Sequence, residues 1–288
     1  MAHLVEATTA ADAYEKLRSL LLTQGEKVSP RGMSTYELRN VTTILSDPQH
    51  SLMVGVGRSL NVKLAAIEAL QLVGGFSDPT RMQSLSPATR PYMDGGTFHG
   101  AYGPRLRAQI PRVITRLDES PQTRRAVATI WDPSWDLFHD DANDYPCTVY
   151  LSWHLRRYHL HMTTHMRSND LHMGWPYDSF QFTTLHASMA NALNVEQGEY
   201  THVVDSLHLY DKDVEAAMRV NSDFVTRIDY PIVPNNGLGA DIRRQLTTPP
   251  RMRWTMIMNR AHELTYNPKL MKVVVPDFDG LLSEWVNP

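Results

Sequence analysis

Apolar and polar positions follow a helical rhythm in the first quarter of the chain. Residues 10 to 23 space alanine, tyrosine and leucine as an amphipathic helix does. Residues 61 to 75 are apolar on almost every side, which predicts a buried helix because a helix without a polar face has to be covered. Asn61 is suited to cap the start of this helix, and Gly74 with Gly75 is suited to end it in a left-handed turn.

Strand and helix patterns are mixed in the rest of the chain. Residues 145 to 178 contain an alternating strand pattern, and residues 198 to 213 predict another strand. Residues 179 to 194 predict a second buried helix with Ser179 as its cap. Further segments predict a surface loop over 77–104, a helix ending near 117, a strand after the arginines at 124–125, and a short helix over 213–224. Because strands and helices do not alternate steadily, the pattern favours an α+β fold.

The composition narrows the class of protein. The 288 residues are 42% hydrophobic and 20% charged, which suits one large globular domain or at most two, and we take residues 1–288 as one. A net charge of −3 indicates neither a duplex-binding nor a membrane surface. A single cysteine, with no visible signal peptide or apolar membrane-spanning segment, predicts a cytoplasmic protein, or one of the host cytoplasm if the source is viral.

One carboxylate interrupts the apolar helix over 61–75. Glu68 lies in its middle, where a buried acid without a partner is costly. We therefore expect Glu68 either to meet a cation or to line a polar cavity, and buried acids of this kind are candidates for function, although structural ion pairs also occur.

The stretch over 145–178 holds the residues with the most reactive chemistry. Cys147 is a candidate nucleophile, although a lone cysteine is more often an inert buried residue. Arg167 is expected to lower the pKa of this thiol; the alternative is a salt bridge at the end of a strand. His159, His161 and His165 alternate along a strand without cysteine companions, so we predict strand-face residues and no metal site.

Eight short motifs together resemble the thymidylate synthase superfamily. They occur in that family's order: Arg31-Gly32, Glu68 in a helix ending in glycine, Tyr102-Gly103, Thr123-Arg124-Arg125, Pro146-Cys147, Arg167-Ser168 with Asp170, Gly174 through Asp178, and His208 with Tyr210. The resemblance spans about residues 30–212 and is nearest to the pyrimidine nucleotide hydroxymethylases, particularly the deoxycytidylate hydroxymethylases of phages. The extra residue in DSLHLY and the ending LSEWVNP depart from the family pattern. The resemblance therefore predicts nothing specific for residues 230–288.

This resemblance implies a mixed sheet packed with helices, a sheet-mediated homodimer and a set of roles. Cys147 would add to carbon 6 of a pyrimidine, Glu68 would organise water and move protons, and Tyr102 would help to remove the proton on carbon 5. The substrate-binding residues implied are Arg31, Arg167, Ser168, Asn169 and Asp170, with Arg124 and Arg125 reaching the phosphate from the other subunit and His208 and Tyr210 binding the sugar. Asp170 and Gly174 would contact the co-substrate 5,10-methylenetetrahydrofolate.

Asp178 decides which base is expected. The synthases place an asparagine here, which complements uracil with one donor and one acceptor. A carboxylate accepts two hydrogen bonds, so it suits the amino group of cytosine and a ring nitrogen that has gained a proton, and it leaves a carbonyl of uracil unpaired. The plainer alternative is that Asp178 caps the helix that starts near Ser179.

The expected product is 5-hydroxymethyl-dCMP. No tryptophan occurs before Trp131, so the loop over 80–100 lacks the side chain that shields the methylene intermediate in the synthases, although Phe98 or Tyr92 could substitute. Water would then attack that intermediate. The alternatives are a CMP hydroxymethylase of nucleoside antibiotic pathways, a dCMP methyltransferase, a thymidylate synthase acting on dUMP, and a nucleotide-binding protein that has lost catalysis. Retention of Cys147 argues against the last.

Overall fold

The computed structural model describes residues 2–53, 60–138, 140–220 and 248–266. In these ranges eight strands form one sheet. They are β1 (His3–Ala7), β2 (Glu26–Val28), β3 (Thr35–Leu45), β4 (Val127–Thr129), β5 (Thr148–Arg156), β6 (His159–Met166), β7 (Asn169–Asp170) and β8 (Glu196–Tyr210). Their order is β1-β3-β8-β6-β5-β4, with β2 beside β3 and β7 beside β8.

The sheet is mixed, and its two long strands lie at the centre. β3 and β8 pair antiparallel, whereas β8 runs parallel to both β6 and β7. β5 and β6 form an antiparallel hairpin in which Thr148 pairs with Met166 and Arg156 with His159. Its two-residue turn, Arg157 and Tyr158, has both residues in the left-handed region (φ 48° and 69°). The mixed sheet, covered by helices, confirms the α+β prediction.

Nine α-helices occur in the described ranges. They are α1 (Ala10–Gln24), α2 (Val62–Gly74), α3 (Pro79–Leu85), α4 (Tyr102–Leu106), α5 (Gln109–Glu119), α6 (Pro133–Asp136), α7 (Trp175–Leu193), α8 (Val214–Met218) and α9 (Pro250–Tyr266). α2, α7 and α9 pack against one another, and α7 also packs against β6 and β8. α7 itself is almost entirely buried, so its polar side chains are surrounded by other parts of the protein.

The sequence predicts α2 well and the start of α7 poorly. Asn61 accepts a hydrogen bond from the amide of Leu64 (3.0 Å), and Gly75 ends the helix with φ 71°, as expected. The prediction that Ser179 caps the second helix is wrong, because α7 begins at Trp175 with Pro176 in its first turn. Proline is accepted there because the first turn has no intrahelical N–H partner to lose.

The surface loop predicted over 77–104 is partly helical. α3 begins after Asp78, whose carboxylate accepts from the amide of Arg81 (3.0 Å), and a 3₁₀ helix follows over Pro87–Tyr92. The ending over 282–288 and most of the tail from 230 lie outside the described residues. In the part of the chain that the structure describes, no helix is long and apolar enough to cross a membrane.

Candidate active site

Cys147 and Arg167 lie side by side at the open end of the β5–β6 hairpin. The backbone amide of Arg167 donates to the carbonyl oxygen of Cys147 (2.9 Å), and the Nε of Arg167 donates to the carbonyl of Pro146 (3.1 Å). The hairpin register therefore places a thiol and a guanidinium together, although twenty residues separate them along the chain. The sequence prediction that these two residues share one site is consistent with this arrangement.

Arg167 lowers the pKa of the Cys147 thiol, as expected, but burial outweighs this effect. Burial raises the pKa of Cys147 to about 11, and the charges of Asp178 and Asp144 add to this effect. The guanidinium groups of Arg167 and Arg31 act in the opposite direction but do not outweigh burial. The thiol is therefore mostly protonated at neutral pH in this state.

A second loop supports the segment that precedes Cys147. The carboxylate of Asp144 accepts from the amide of Gly100 (3.0 Å), while Asp94 accepts from the side-chain amide of Asn143 (2.6 Å). A side chain at position 100 would meet Asp144 at 2.8 Å and the nitrogen of Pro146 at 2.9 Å. Gly100 is therefore required for this close approach, which fixes the backbone leading to the thiol.

Asp178 lies in the first turn of α7 with its side chain directed at other side chains. Its Oδ2 accepts from Nδ2 of Asn169 (2.7 Å) and its Oδ1 from Nε2 of Gln181 (2.8 Å). The residue is 9% exposed. Burial raises its pKa to about 6, and the two hydrogen bonds act against that rise. The alternative that Asp178 caps a helix is wrong, because the cap position is Gly174 and the carboxylate receives no backbone N–H there.

Glu68 and Tyr102 share an acidic pocket with Asp178. No described residue forms an ion pair with Glu68, whose side chain keeps part of its surface accessible. Burial and the charge of Asp178 raise the pKa of Glu68 to about 8. The ring of Tyr102 stacks on Phe182 of α7 with centroids 5.7 Å apart, and burial raises its pKa well above the usual value. Both groups therefore hold their protons at neutral pH.

The candidate phosphate ligands lie on three separate segments, and the candidate sugar ligands lie together on β8. Arg31 is exposed with φ 53°, and its charge reaches Cys147. Ser168 is half-buried beside Arg167. Arg124 and Arg125 are exposed on the turn before β4. His208 and Tyr210 lie on one face at the end of β8, where their rings meet edge to face with centroids 5.2 Å apart, as the strand period predicts.

Asp170 and Gly174 have clear local roles in the fold. Oδ1 of Asp170 accepts from the amides of His172 (2.7 Å) and Met173 (2.9 Å), which closes the turn before α7. A side chain at Gly174 would lie 2.9 Å from Nδ2 of Asn169 and 3.4 Å from Oδ2 of Asp178. Gly174 therefore leaves room for the hydrogen-bonded pair that it contacts. Its expected contact with the folate remains a prediction.

The three histidines of β6 are strand residues in the structure. His165 hydrogen-bonds Asp205 (2.9 Å), and His161 lies 3.8 Å from Glu199. Within the described ranges, no group of three or more histidine, cysteine or acidic side chains is arranged to hold a metal ion.

The sequence does not predict two features of the site. The first is the hydrogen bond from Gln181 to Asp178, although their spacing of three residues indicates it, because residues three apart lie side by side on a helix. The other is a cavity of about 470 Å³, walled in part by Trp131, whose ring centre lies 5.5 Å from the guanidinium carbon of Arg167. The side chains of His99, Arg105 and Asp136 form one hydrogen-bonded group beside it.

Comparisons with known proteins show the family of the chain. The thymidylate synthase family model matches residues 87–232. A deoxyuridylate hydroxymethyltransferase of Bacillus phage SP01 is 31% identical over 265 residues, covering 84% of this chain and 68% of the relative. One of Pseudomonas phage M6 is 33% identical over 180 residues, covering 60% and 51%. A thymidylate synthase of Bacillus subtilis subsp. natto is 28% identical over 133 residues, covering 42% and 47%. The chain, with its thiol and guanidinium at the end of one hairpin, belongs to the thymidylate synthase family.

Proposed function

We propose that the protein transfers a one-carbon unit from 5,10-methylenetetrahydrofolate to carbon 5 of dCMP and releases 5-hydroxymethyl-dCMP. The observation that supports this choice of base is the buried carboxylate of Asp178, which already accepts one N–H on each oxygen. Each oxygen keeps room for one further hydrogen. The amino group and the protonated ring nitrogen of cytosine supply two hydrogens side by side, whereas uracil supplies one hydrogen beside a carbonyl oxygen.

The chemistry starts at Cys147. Its thiol gives up its proton and the sulfur adds to carbon 6 of the ring. A proton on N3, the ring nitrogen beside the amino group, makes carbon 6 more electrophilic, so Asp178 assists both recognition and addition. Carbon 5 then becomes nucleophilic and attacks the methylene carbon. Loss of the carbon 5 proton and departure of tetrahydrofolate leave an exocyclic methylene group. Water adds to this group as the sulfur leaves carbon 6, which gives the hydroxymethyl product.

Glu68 and Tyr102 are assigned the proton transfers. Both are protonated at neutral pH and lie near Asp178, so either can pass a proton through water to or from the base. A pKa of about 8 suits Glu68 for this work near neutral pH. Tyr92 is 55% exposed and Phe98 packs against the core. The lack of a tryptophan before Trp131 supports water attack over hydride transfer.

The phosphate and the sugar are assigned to the polar groups around the hairpin. Arg31, Arg167 and Ser168 would hold the phosphate, with Arg124 and Arg125 supplied by a second subunit of a homodimer. His208 and Tyr210 would bind the sugar hydroxyl. Mixing two inactive variants tests the shared site: Cys147→Ala subunits and Arg124→Ala/Arg125→Ala subunits should regain activity together, because one of the two sites in the mixed dimer is then intact. Without recovery, the shared site is wrong.

Hydroxymethylation of dUMP is the second candidate. It is favoured by the two phage relatives, which are named for deoxyuridylate, although these matches cover 68% and 51% of their lengths. A protonated Asp178 would also suit uracil, since its hydroxyl can donate to the carbonyl while its other oxygen accepts from the ring N–H. The two candidates thus differ in the proton on Asp178.

One assay separates these functions. The protein is incubated with methylenetetrahydrofolate and dCMP, dUMP or CMP labelled with tritium at carbon 5, and tritium release and dihydrofolate absorbance are followed together. Tritium release from dCMP without dihydrofolate supports the proposal. Release from dUMP without dihydrofolate supports the second candidate, dihydrofolate formation indicates methylation, and preference for CMP indicates a ribonucleotide enzyme. Release from none of the three indicates a protein that binds nucleotides without catalysis.

A further inference from the structure

A chain of four buried side chains leads away from the base-reading carboxylate. The hydroxyl of Tyr200 lies 2.7 Å from Nδ1 of His202, whose Nε2 lies 3.1 Å from Oδ1 of Asn169. Nδ2 of Asn169 in turn donates to Oδ2 of Asp178 (2.7 Å). Tyr200 and His202 are fully buried, and Asn169 is 3% exposed. We call these three residues the β7–β8 relay, since they lie on β7 and β8.

The direction of every hydrogen bond in the β7–β8 relay follows from its acidic end. An ionised Asp178 can only accept, so Asn169 presents its N–H₂ group to it and its oxygen to His202. The imidazole must therefore carry its hydrogen on Nε2, which leaves Nδ1 to accept from the hydroxyl of Tyr200. Burial lowers the pKa of His202 to about 3 and raises the pKa of Tyr200 well above its usual value. Both groups are thus neutral, as this direction requires.

The tight packing around the relay keeps Asn169 in place. Gly174 lies so close that an added Cβ would be 2.9 Å from Nδ2 of Asn169. The ring of Trp175 meets the ring of His202 edge to face, with centroids 6.1 Å apart. Rotation of the asparagine amide would also bring its oxygen against the carboxylate of Asp178. The side chain therefore has one favourable orientation while Asp178 is ionised.

We propose that Asn169, oriented by His202 and Tyr200, is a positioning residue that keeps Asp178 an ionised acceptor of two hydrogens and so determines which pyrimidine base the enzyme prefers. This inference rests on the proposed function, and it replaces the substrate contact expected for Asn169 with a role that acts through Asp178. His202 and Tyr200 act through Asn169 and touch no substrate in this assignment.

The physical reason is that a protonated and an ionised carboxyl group select bases differently. Ionised Asp178 repels the carbonyl of uracil, whereas protonated Asp178 can pair with either base. The N–H of Asn169 stabilises the ionised form, and its removal favours the protonated one. The titratable groups that face Asp178 from the surrounding elements are Glu68 on α2, Tyr102 on α4, Cys147 before β5, Asp170 on β7 and Tyr200 on β8. The two carboxylic acids among them, Glu68 and Asp170, also favour a proton on Asp178 when they are ionised, so the relay acts against them.

The test measures binding of dCMP and dUMP by calorimetry without folate, from pH 5.5 to 8.5, on the full chain. Asn169→Leu removes the donor, and Tyr200→Phe removes one hydroxyl from the far end. Tyr14→Phe is the matched control, because Tyr14 is also buried and its hydroxyl bonds a histidine Nδ1 (2.9 Å) outside the relay. In the unmodified protein both affinities should rise as the pH is lowered towards about 6, because each complex carries one proton more than the ionised free protein.

In Asn169→Leu this rise should begin at higher pH. The ratio of dCMP to dUMP affinity at pH 7.5 should be about threefold to tenfold lower, the worth of one hydrogen bond to the ionised carboxylate of the dCMP complex. Tyr200→Phe should show a smaller change in the same direction, and Tyr14→Phe should follow the unmodified protein. If Asn169→Leu is folded and its curve coincides with that of the unmodified protein, the inference is overturned. If Asn169→Leu does not fold, a Tyr200→Phe curve identical to that of Tyr14→Phe overturns it.

Failure of the proposed function looks different. If the unmodified protein prefers dUMP at every pH, the cytosine assignment is wrong, yet the relay is still judged by whether Asn169→Leu or Tyr200→Phe displaces the pH dependence of binding. A displaced curve then supports the relay alone.

Discussion

The backbone amide of Arg167 hydrogen-bonds the carbonyl oxygen of Cys147 at 2.9 Å, so the reactive sulfur and a cation are joined through one hairpin. This link holds the two residues at a fixed separation while their side chains remain able to move. The charge of Arg167 lowers the pKa of a thiol that burial raises to about 11.

Alkylation of Cys147 should therefore be slow at neutral pH and rise about tenfold per pH unit towards pH 11, since the thiolate is the reactive form. Arg167→Ala should slow the reaction further, by a factor of about 3 to 10 below pH 10, because a favourable charge is lost. The rate of iodoacetamide incorporation measures this. Arg219→Ala, which removes an exposed arginine paired with Glu215, should leave the rate unchanged; equal slowing in both variants would contradict the role of Arg167.

Asp178→Asn should shift base preference towards dUMP. An amide offers one donor and one acceptor, which matches uracil, and a mismatch in a dry site changes selectivity by a factor on the order of 10² or more. The measurement is the ratio of dCMP to dUMP affinity at pH 7.5. Asp170→Asn is the matched control, since it neutralises a nearby carboxylate that closes a turn. Unchanged selectivity in Asp178→Asn would remove its assigned role.

Glu68 makes the fold less stable as the pH rises. Its pKa is about 8 in the folded chain against 4.5 ordinarily, so the folded state binds more protons between these values. Its contribution to stability is present below pH 4.5 and is lost as the pH rises through about 8. Glu68→Gln removes this titration, so the decline in the free energy of unfolding should become smaller by on the order of 2 kcal/mol. This figure is lower than the full pKa shift implies, because part of the side chain stays solvated. Urea denaturation at pH 5.5 and 8.5 measures it, and equal declines in both proteins would refute the expectation.

Gly174→Ala should weaken nucleotide binding without unfolding the protein. The added methyl group would lie 2.9 Å from Nδ2 of Asn169, which forces the pair with Asp178 to shift, at a stability cost of about 1–3 kcal/mol. Calorimetry with dCMP should show about a tenfold loss of affinity or more, of the size expected when a buried hydrogen bond to a charged group is disturbed. Normal affinity together with normal stability would mean that the pocket has more room than the contact implies.

Capping residues and glycines in the sequence predict where helix α2 begins and ends, but they do not predict the start of α7. The ends of α2 follow from Asn61 and Gly75, because capping depends on the nearest backbone alone. The sequence misplaces the start of α7 because Ser179 offers a cap, while Pro176, three residues before the predicted start, is equally compatible with a first turn.

The sequence predicts the site as a set of residues and not as a set of contacts. The family resemblance implies that Cys147, Arg167 and Asp178 share one site, but the raised pKa of the thiol depends on how deeply the hairpin end is buried, which no local pattern contains. The bond from His202 to Asn169 spans 33 residues and joins parallel strands. The two residues are not partners in the strand register, since Asn169 pairs with Leu207 and His202 with Thr164, so packing between their side chains decides this contact.

The turn of the β5–β6 hairpin offers a place to engineer the protein. Arg157 and Tyr158 both adopt φ above 40°, a conformation that costs ordinary residues about 1 kcal/mol each and that asparagine accepts more readily. Tyr158 is retained by its hydroxyl bond to the carbonyl of Asn194 (2.6 Å), but Arg157→Asn should relieve strain and raise the melting temperature by a few degrees. Because this turn lies about 30 Å from Cys147, the length of a nine-residue strand, thermal tolerance can be improved there while turnover is left unaltered.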